Sequence, residues 1–291
     1  LVRLADGELI DLFANLSSVR AIQALPADTA GVGLLRTEHV FGGESTGYEE
    51  QRDLYGALFE RLPGRAVIVR TFDVSGDVPN GVFATRGVSR YRRAPAVLDT
   101  QLAAVSAAAS ATRASVAVMA PMVATAEDAR WFATRAAGHG LDQAGVMVEL
   151  PAAAVCADTI LRVVRFASVG TNDLSQYLFA ADRTAGGNSD LLDPWQPALL
   201  RLVRGVALAG TRLRRPVSVC GAAASDPVLA AVLVGMGVTR LSMPAGEIPA
   251  VRRLLGACTL RRCRALSALA VAASSARAAR ARVTAELAGH P

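Results

Sequence analysis

Phe166–Arg183 reads FASVGTNDLSQYLFAADR, and the order of residue types inside it decides the fold. Phe166–Val169 is an apolar run without polar alternation. That is the pattern of a strand buried on both faces, paired in parallel beneath covering helices. The run stops at Gly170-Thr171-Asn172-Asp173, where polar groups arrive together, and an amphipathic segment then ends in Asp182-Arg183. An amide and a carboxylate at a strand mouth, with an arginine one short helix later, suit a metal ion held beside an anion.

Outward from this unit the same rhythm recurs. Leu9–Asn15, Gly31–Arg36, Ala66–Thr71, Val116–Pro121, Val146–Glu149, Phe166–Gly170, Val217–Cys220 and Leu241–Met243 are short apolar runs, each followed by a helical pattern. Leu54, Leu58 and Leu62 form one stripe of a helix over Tyr48–Leu62 that stops at Gly64. Val97–Ala111 is alanine-rich at helical spacing, and Thr125 with Glu127 and Asp128 opens another helix on an acidic first turn. Pro151 starts a helix running to about Val164, and Asp226-Pro227 opens one over Val228–Met236.

Eight such units close most naturally as a (β/α)8 barrel, and 291 residues accommodate one with additions. A doubly wound open sheet is the alternative, while a two-domain division lacks a linker to mark it. The intervals Val74–Ser115 and Asp182–Arg215 exceed an ordinary unit and predict added loops or helices over one face. Beyond Pro249 two more helices are expected, packed outside the barrel or against a partner. The reading is one α/β domain over 1–291 with a helical tail at about 250–291.

Hydrophobic content of 52% and a mean hydropathy of +0.33 exclude a disordered chain. The longest apolar run, Val228–Val238, is too short for a bilayer. The start, LVRLADGELI, lacks the order of a signal peptide and suggests a domain cut from something longer. A cytoplasmic chain without a membrane partner is therefore expected. Cys156, Cys220, Cys258 and Cys263 show no paired zinc spacing and fit a reducing compartment. All 31 basic residues are arginine, which with the alanine content reads as the bias of a GC-rich genome. The net charge of +6 suits an anionic ligand. The only dense basic stretch, Leu260–Val283, alternates arginine with alanine and leucine as a solvated helix face does, so no nucleic-acid partner is expected.

Barrel active sites lie at the C-terminal ends of the strands. Those ends carry Asn15, then Arg36 with Thr37 and Glu38, then Arg70 with Thr71 and Asp73, and later Glu149, Asn172 with Asp173, and Cys220. One polar strand end is a strand meeting solvent; this many at matching positions predict a single site. Arg36 and Arg70 offer planar, permanently charged forks for phosphate or carboxylate. Glu149 and Asp173 are hard oxygen donors that could share Mg²⁺, with an ion pair to one of those arginines as the alternative for Glu149. Cys220 ends VSVC as either a packing residue or, facing an arginine-lined pocket, a group for proton transfer.

Taken together these residues resemble the C-terminal phosphoenolpyruvate-binding domain of enzyme I of the sugar phosphotransferase system, the phosphoenolpyruvate–protein phosphotransferases. GVGLLRTEHVF at Gly31–Phe41 is similar to the family's GxGLxRTEFLF, and AVIVRTFDVSGD at Ala66–Asp77 to its xVIxRTxDxGGD. MAPMV at Met119–Val123, GVMVELPAAA at Gly145–Ala154 and VGTNDLSQYLFAADR at Val169–Arg183 follow in the family's order. DPWQPALLRLV at Asp193–Val203, VSVCG at Val217–Gly221 and GMGVTRLSM at Gly235–Met243 complete it. The wording of DPWQPALLRL and the arginine-only composition look actinobacterial.

The resemblance implies a (β/α)8 barrel, a homodimer, Mg²⁺, and transfer of phosphate from phosphoenolpyruvate to a histidine and on to the phosphocarrier protein, releasing pyruvate. By matching motif, Arg36, Arg70 and Arg86 would hold the phosphate, and Asn172 and Arg183 would contact substrate oxygens. Glu149 and Asp173 would bind Mg²⁺, and Cys220 would deliver the proton as pyruvate forms. The chain departs from the pattern at Val78, where the family has a lysine, at Ser75 for a glycine, and at Ala222 for a glutamate. The phosphorylated histidine of enzyme I belongs to an N-terminal domain expected to be absent here. His39, His139 and His290 sit in no resembling motif, and His39 reads as structural. Two other readings stay open: the equivalent barrel of a pyruvate phosphate dikinase or phosphoenolpyruvate synthase, and a catalytically impaired phosphoenolpyruvate-binding module.

Overall fold

Side chains of a β-strand alternate between its two faces, so in a closed sheet every second residue must be accommodated inside the cylinder. The computed structural model describes residues 1–26, 29–41, 46–73, 86–182 and 190–289. Its strands are β1 (Val2–Arg3), β2 (Leu9–Leu16), β3 (Gly31–Arg36), β4 (Ala66–Arg70), β5 (Ser115–Ala120), β6 (Ala144–Val148), β7 (Ala167–Gly170), β8 (Val217–Cys220) and β9 (Arg240–Met243). Each strand from β2 to β9 pairs in parallel with the next, and β9 returns to β2, which closes the eight-stranded barrel expected from the eight apolar runs. The short β1, antiparallel to β2, has no counterpart among those runs. Two residues carry no periodicity.

Two separate hydrophobic layers follow from the alternation. Leu34, Ile68, Met119, Met147, Phe166 and Cys220 pack with one another inside the barrel. Their strand neighbours Leu35, Val67, Val69, Val118, Val146, Val148, Val169 and Val219 face outward into the larger core beneath the helices. The interior is thus filled up to one level. The next inward positions on three strands, two residues later, are Arg36, Arg70 and Glu149, at the open end.

The helices begin where their caps put them. Thr125 and Asp128 form a reciprocal capping box ahead of Ala126–Gly138. The Asp226 carboxylate accepts the Val228 and Leu229 amides (3.0 and 3.2 Å) at the start of Pro227–Gly235. The helix expected from Pro151 to Val164 is instead two short helices, Pro151–Val155 and Ala157–Leu161. The backbone turns at Cys156, whose carbonyl accepts from Thr159 Oγ1 (2.8 Å). Of the two long intervals, the first holds helices Gly87–Arg93 and Pro95–Ser110 and the second Pro197–Leu213. Among the described residues no helix is long and apolar enough to cross a membrane.

The tail carries three helices rather than two: Ile248–Gly256, Leu260–Val271 and Ala276–Gly289. The first begins before Pro249 and closes the last βα unit. Thr259 then caps a fresh start by accepting the Arg262 amide (3.1 Å). As expected, the last two lie outside the barrel. Arg261, Arg264, Arg277, Arg280 and Arg282 of the basic stretch are exposed. Arg280 lies over the ring of the buried Trp195 (5.1 Å) and pairs with Asp226 (3.2 Å), which also accepts Trp195 Nε1–H (2.9 Å).

At Gly235 the tail comes close to helix Pro227–Gly235, because a Cβ there would stand 1.9 Å from the carbonyl oxygen of Cys263. A Gly235→Ala substitution must therefore push helix Leu260–Val271 away from Pro227–Gly235. We expect it to lower stability by about 1–3 kcal/mol, the range for overpacking a tight contact. Urea unfolding followed by the fluorescence of Trp131 and Trp195 reads this directly, and an unchanged midpoint would show that the tail is not packed as described.

Candidate functional site

Arg36 and Arg70 are register partners on adjacent strands, so their guanidinium groups leave the barrel wall side by side. Glu149 follows β6 on the same inward face, two residues after Met147. It needs the room that Gly170 leaves on β7, where a Cβ would fall 2.7 Å from Glu149 Cγ and 2.9 Å from its Oε1. Asp173 stands in the first turn of helix Thr171–Leu178, directly after β7. Arg86 is the N-cap residue of helix Gly87–Arg93 and reaches back over β4.

The structure brings most of these groups into one ion-pair network. Arg70 pairs with Glu38 and approaches Asp73 (3.5 Å) and Glu149 (3.6 Å). Arg86 forks onto Asp73 through Nη2 (2.6 Å) and Nε (3.2 Å), and its Nη1 meets Asp173 Oδ1 (3.0 Å). The ion pair considered as the alternative role of Glu149 is therefore present. Its Oε2 also accepts the amide of Met122 (2.9 Å), a non-glycine residue at φ 52°. Backbone held in that left-handed region at a site signals a local geometry fixed by its surroundings.

Burial, added to by Asp73 and Asp173 and opposed by Arg70, pushes the Glu149 carboxyl up to about 7. Burial alone would weaken the charge on Arg70, but Glu149, Asp73, Glu38 and Asp173 more than offset it and hold the guanidinium more firmly charged than a free arginine. Arg86 is held in the same way, with Asp73 the main cause against burial. Arg36 differs: among the described residues nothing pairs with it, and its Nε is buried without a hydrogen-bond partner. A guanidinium with no partner among the described residues, beside two paired ones, has hydrogen-bond donors left to offer.

Cys220 ends β8 inside the barrel, its thiol donating to the Val169 carbonyl (3.5 Å). Burial pushes this thiol up to about 11. It is a protonated donor at neutral pH, not a nucleophile. Asn172 Oδ1 accepts the amide of Ala222 (3.3 Å), tying the strand ends of β7 and β8 together. Asn15 is turned instead toward β9, accepting from Ser242 Oγ (2.6 Å), and takes no part in the ion-pair network. Arg183, Ser75 and Val78 lie outside the described residues, as does the side chain of His39. His139 contacts Asp99 (3.4 Å) beside Arg135, outside the ion-pair network at the barrel mouth.

Sequence reasoning placed Glu38 and Asp73 at strand ends without seeing that they are the arginines' partners. It missed Gln101 and Tyr91, which bond to the backbone behind the site. The signal for Gln101 was there: a polar residue on the apolar stripe formed by Leu98, Leu102 and Val105.

Residues 1–259 match the family described as PEP-utilising enzyme, PEP-binding domain. The chain belongs to this family. Its relatives include a phosphoenolpyruvate-protein phosphotransferase of Streptomyces coelicolor, an actinobacterium, 43% identical across 98% of this chain and 54% of that protein. A multiphosphoryl transfer protein of Xanthomonas campestris is 37% identical across 91% of this chain and 33% of its own length. A phosphoenolpyruvate-protein phosphotransferase of Haloferax volcanii is 38% identical across 86% and 49%. The chain thus spans about half the length, or less, of these curated relatives. Among solved structures, a citrate lyase from Burkholderia xenovorans superposes with a TM-score of 0.57 at 16% identity over 98% of this chain and 92% of that one. That likeness concerns the barrel fold alone.

The contrast between cysteines is directly measurable. Cys156 is exposed and Cys220 buried. With iodoacetamide at pH 8, Cys156 should be alkylated quickly. Cys220 should stay unlabelled in the folded chain, because the thiolate is the reactive form and becomes dominant only above about 11. Peptide mass mapping distinguishes the two, and rapid labelling of Cys220 would contradict its burial.

Proposed function

We propose that this chain is the phosphoenolpyruvate-binding barrel of a phosphoenolpyruvate–protein phosphotransferase. Arg36, Arg70 and Arg86 clamp the phosphate, with Asn172 and Arg183 on other substrate oxygens. The observation that carries the reading is the gathering of those first three guanidinium groups at one barrel mouth, one of them unpaired among the described residues. The phosphoryl group leaves the enol oxygen for an imidazole nitrogen of a histidine on a partner domain. From there it passes to the phosphocarrier protein. The enolate carbon takes a proton from Cys220 Sγ, giving pyruvate, and the thiolate left behind faces Arg36 and Arg70, which favour the charged form. It regains its proton from water.

A divalent cation fits the residues present. Four carboxylates (Glu38, Asp73, Glu149 and Asp173) stand against three guanidinium groups, and the substrate adds several more negative charges. Glu149 and Asp173 would hold the ion, for which Mg²⁺ is the natural choice, since it takes one or two carboxylates and completes its shell with water and substrate oxygens. Among the described residues no three metal-ligating side chains gather by themselves, so the substrate's own oxygens belong to the site. When bound, the cation neutralises charge on the transferring group. The same reading treats residues 1–291 as one domain, supported by the packing of the tail on the barrel, and carries a homodimer, which sedimentation tests. A second reading, binding without turnover, is favoured by Ala222, an exposed methyl where the family has a carboxylate.

Calorimetric titration with phosphoenolpyruvate, with and without Mg²⁺, tests the proposal. Binding should require or be strengthened by Mg²⁺, and heat in neither condition would remove it. Arg70→Ala should lose binding altogether, and an unchanged affinity would refute the phosphate assignment. Cys220→Ser should bind normally but fail in Mg²⁺-dependent proton exchange into pyruvate. Exchange at the unsubstituted rate would end the proton-donor role, while a chain that binds but never exchanges would favour the second reading.

A further inference from the structure

Behind the arginine cluster lies a buried polar frame centred on Gln101. This side chain is fully buried on the apolar stripe of helix Pro95–Ser110, where a leucine would satisfy packing alone. Its carbonyl oxygen accepts the amide of Phe72 (3.0 Å), and its amide nitrogen donates to Tyr55 Oη (2.9 Å) and Thr37 Oγ1 (3.3 Å). Thr37 Oγ1 in turn donates to the carbonyl of Arg70 (2.9 Å), and the Tyr91 hydroxyl donates to the carbonyl of Phe72.

The placement of these partners gives the frame a purpose beyond packing. Thr37 directly follows Arg36, and Phe72 lies two residues after Arg70. Tyr91 sits on the helix that Arg86 caps. Apart from the bond to Tyr55, each ends on the backbone, or on the hydroxyl, of a segment that carries one of the three arginines. A buried amide whose bonds are all made contributes little net stability but fixes one arrangement out of many, because any other leaves a polar group unsatisfied.

We propose that Gln101 is a positioning residue: it sets the spacing and aim of the backbone segments bearing Arg36 and Arg70 directly, and that of Arg86 through Phe72, whose carbonyl holds Tyr91, and thereby the affinity of the site for a phosphate group. Helix Tyr48–Phe59 braces the frame from the far side through Tyr55. The inference rests on the reading of these arginines as the phosphate clamp.

The test compares affinity with stability across matched variants. Phosphoenolpyruvate is titrated calorimetrically in Mg²⁺ into the unsubstituted chain, Gln101→Met, Tyr91→Phe, Leu102→Ala and Arg70→Ala, and thermal midpoints are recorded for each. Gln101→Met keeps the shape and Tyr91→Phe removes a single hydroxyl. Both should bind roughly 10-fold more weakly, the lower end of what losing an outer-shell partner costs. Leu102→Ala, a pure packing loss at the neighbouring fully buried position, should lower the midpoint at least as far while leaving affinity unchanged. Should Gln101→Met not fold, Tyr91→Phe carries the comparison. Affinity lost in Arg70→Ala but kept in Gln101→Met and Tyr91→Phe overturns the positioning role alone, as does an equal loss in Leu102→Ala. No binding by the unsubstituted chain overturns the phosphate clamp and this role together.

Discussion

The filled interior of the barrel is the constraint on which the site depends. Leu34, Ile68, Met119, Met147, Phe166 and Cys220 occupy the cylinder to a fixed height, and strand alternation places the next inward side chains directly above them. Arg36, Arg70 and Glu149 therefore cannot turn down into the barrel, nor outward into the valine-rich layer beneath the helices. They converge at the mouth because the core beneath leaves them nowhere else.

Convergence of charge at low exposure has its own consequence. A buried guanidinium or carboxylate is tolerated only with partners, since desolvation of an isolated ion costs several kcal/mol. Those partners are supplied internally: Asp73 sits between Arg70 and Arg86, and Asp173 takes the far side of Arg86. An incoming phosphate competes with carboxylates already in place. On the proposed reading, this is how a phosphate clamp and a pair of metal-binding carboxylates would share one space. Bringing in an anion and a cation together exchanges one set of ion pairs for another, whereas bringing in either alone leaves groups unmatched.

The barrel was legible in the sequence because its strands are buried on both faces and read as unbroken apolar runs, of which Phe166–Gly170 is the plainest. The candidate site was legible because polar residues follow those runs at the same relative position. What escaped lay where periodicity says nothing. The two residues of β1 are too short to show a pattern, and the break at Cys156 arises from a threonine hydroxyl bonding to a backbone carbonyl. The pairing of Arg86 with Asp73 and Asp173 joins residues far apart in the chain. Gln101 was passed over although its place on the stripe of Leu98, Leu102 and Val105 was visible, because the sequence does not say what a polar group there would bond to. Its partners become visible only when Phe72, Thr37 and Tyr55 stand around it.

The absence of lysine also bears on how the site meets changes in acidity. A guanidinium keeps its proton throughout the range in which proteins stay folded. The positive half of the mouth is therefore a fixed quantity, insensitive to the medium. Among the described residues of the mouth, the groups that can gain or lose a proton are carboxyl groups and the thiol of Cys220. In a relative with lysine at the clamp, alkaline conditions would gradually switch the cation off. Here the positive side is permanently on, and among the described residues the proton inventory of the mouth is written in its acids.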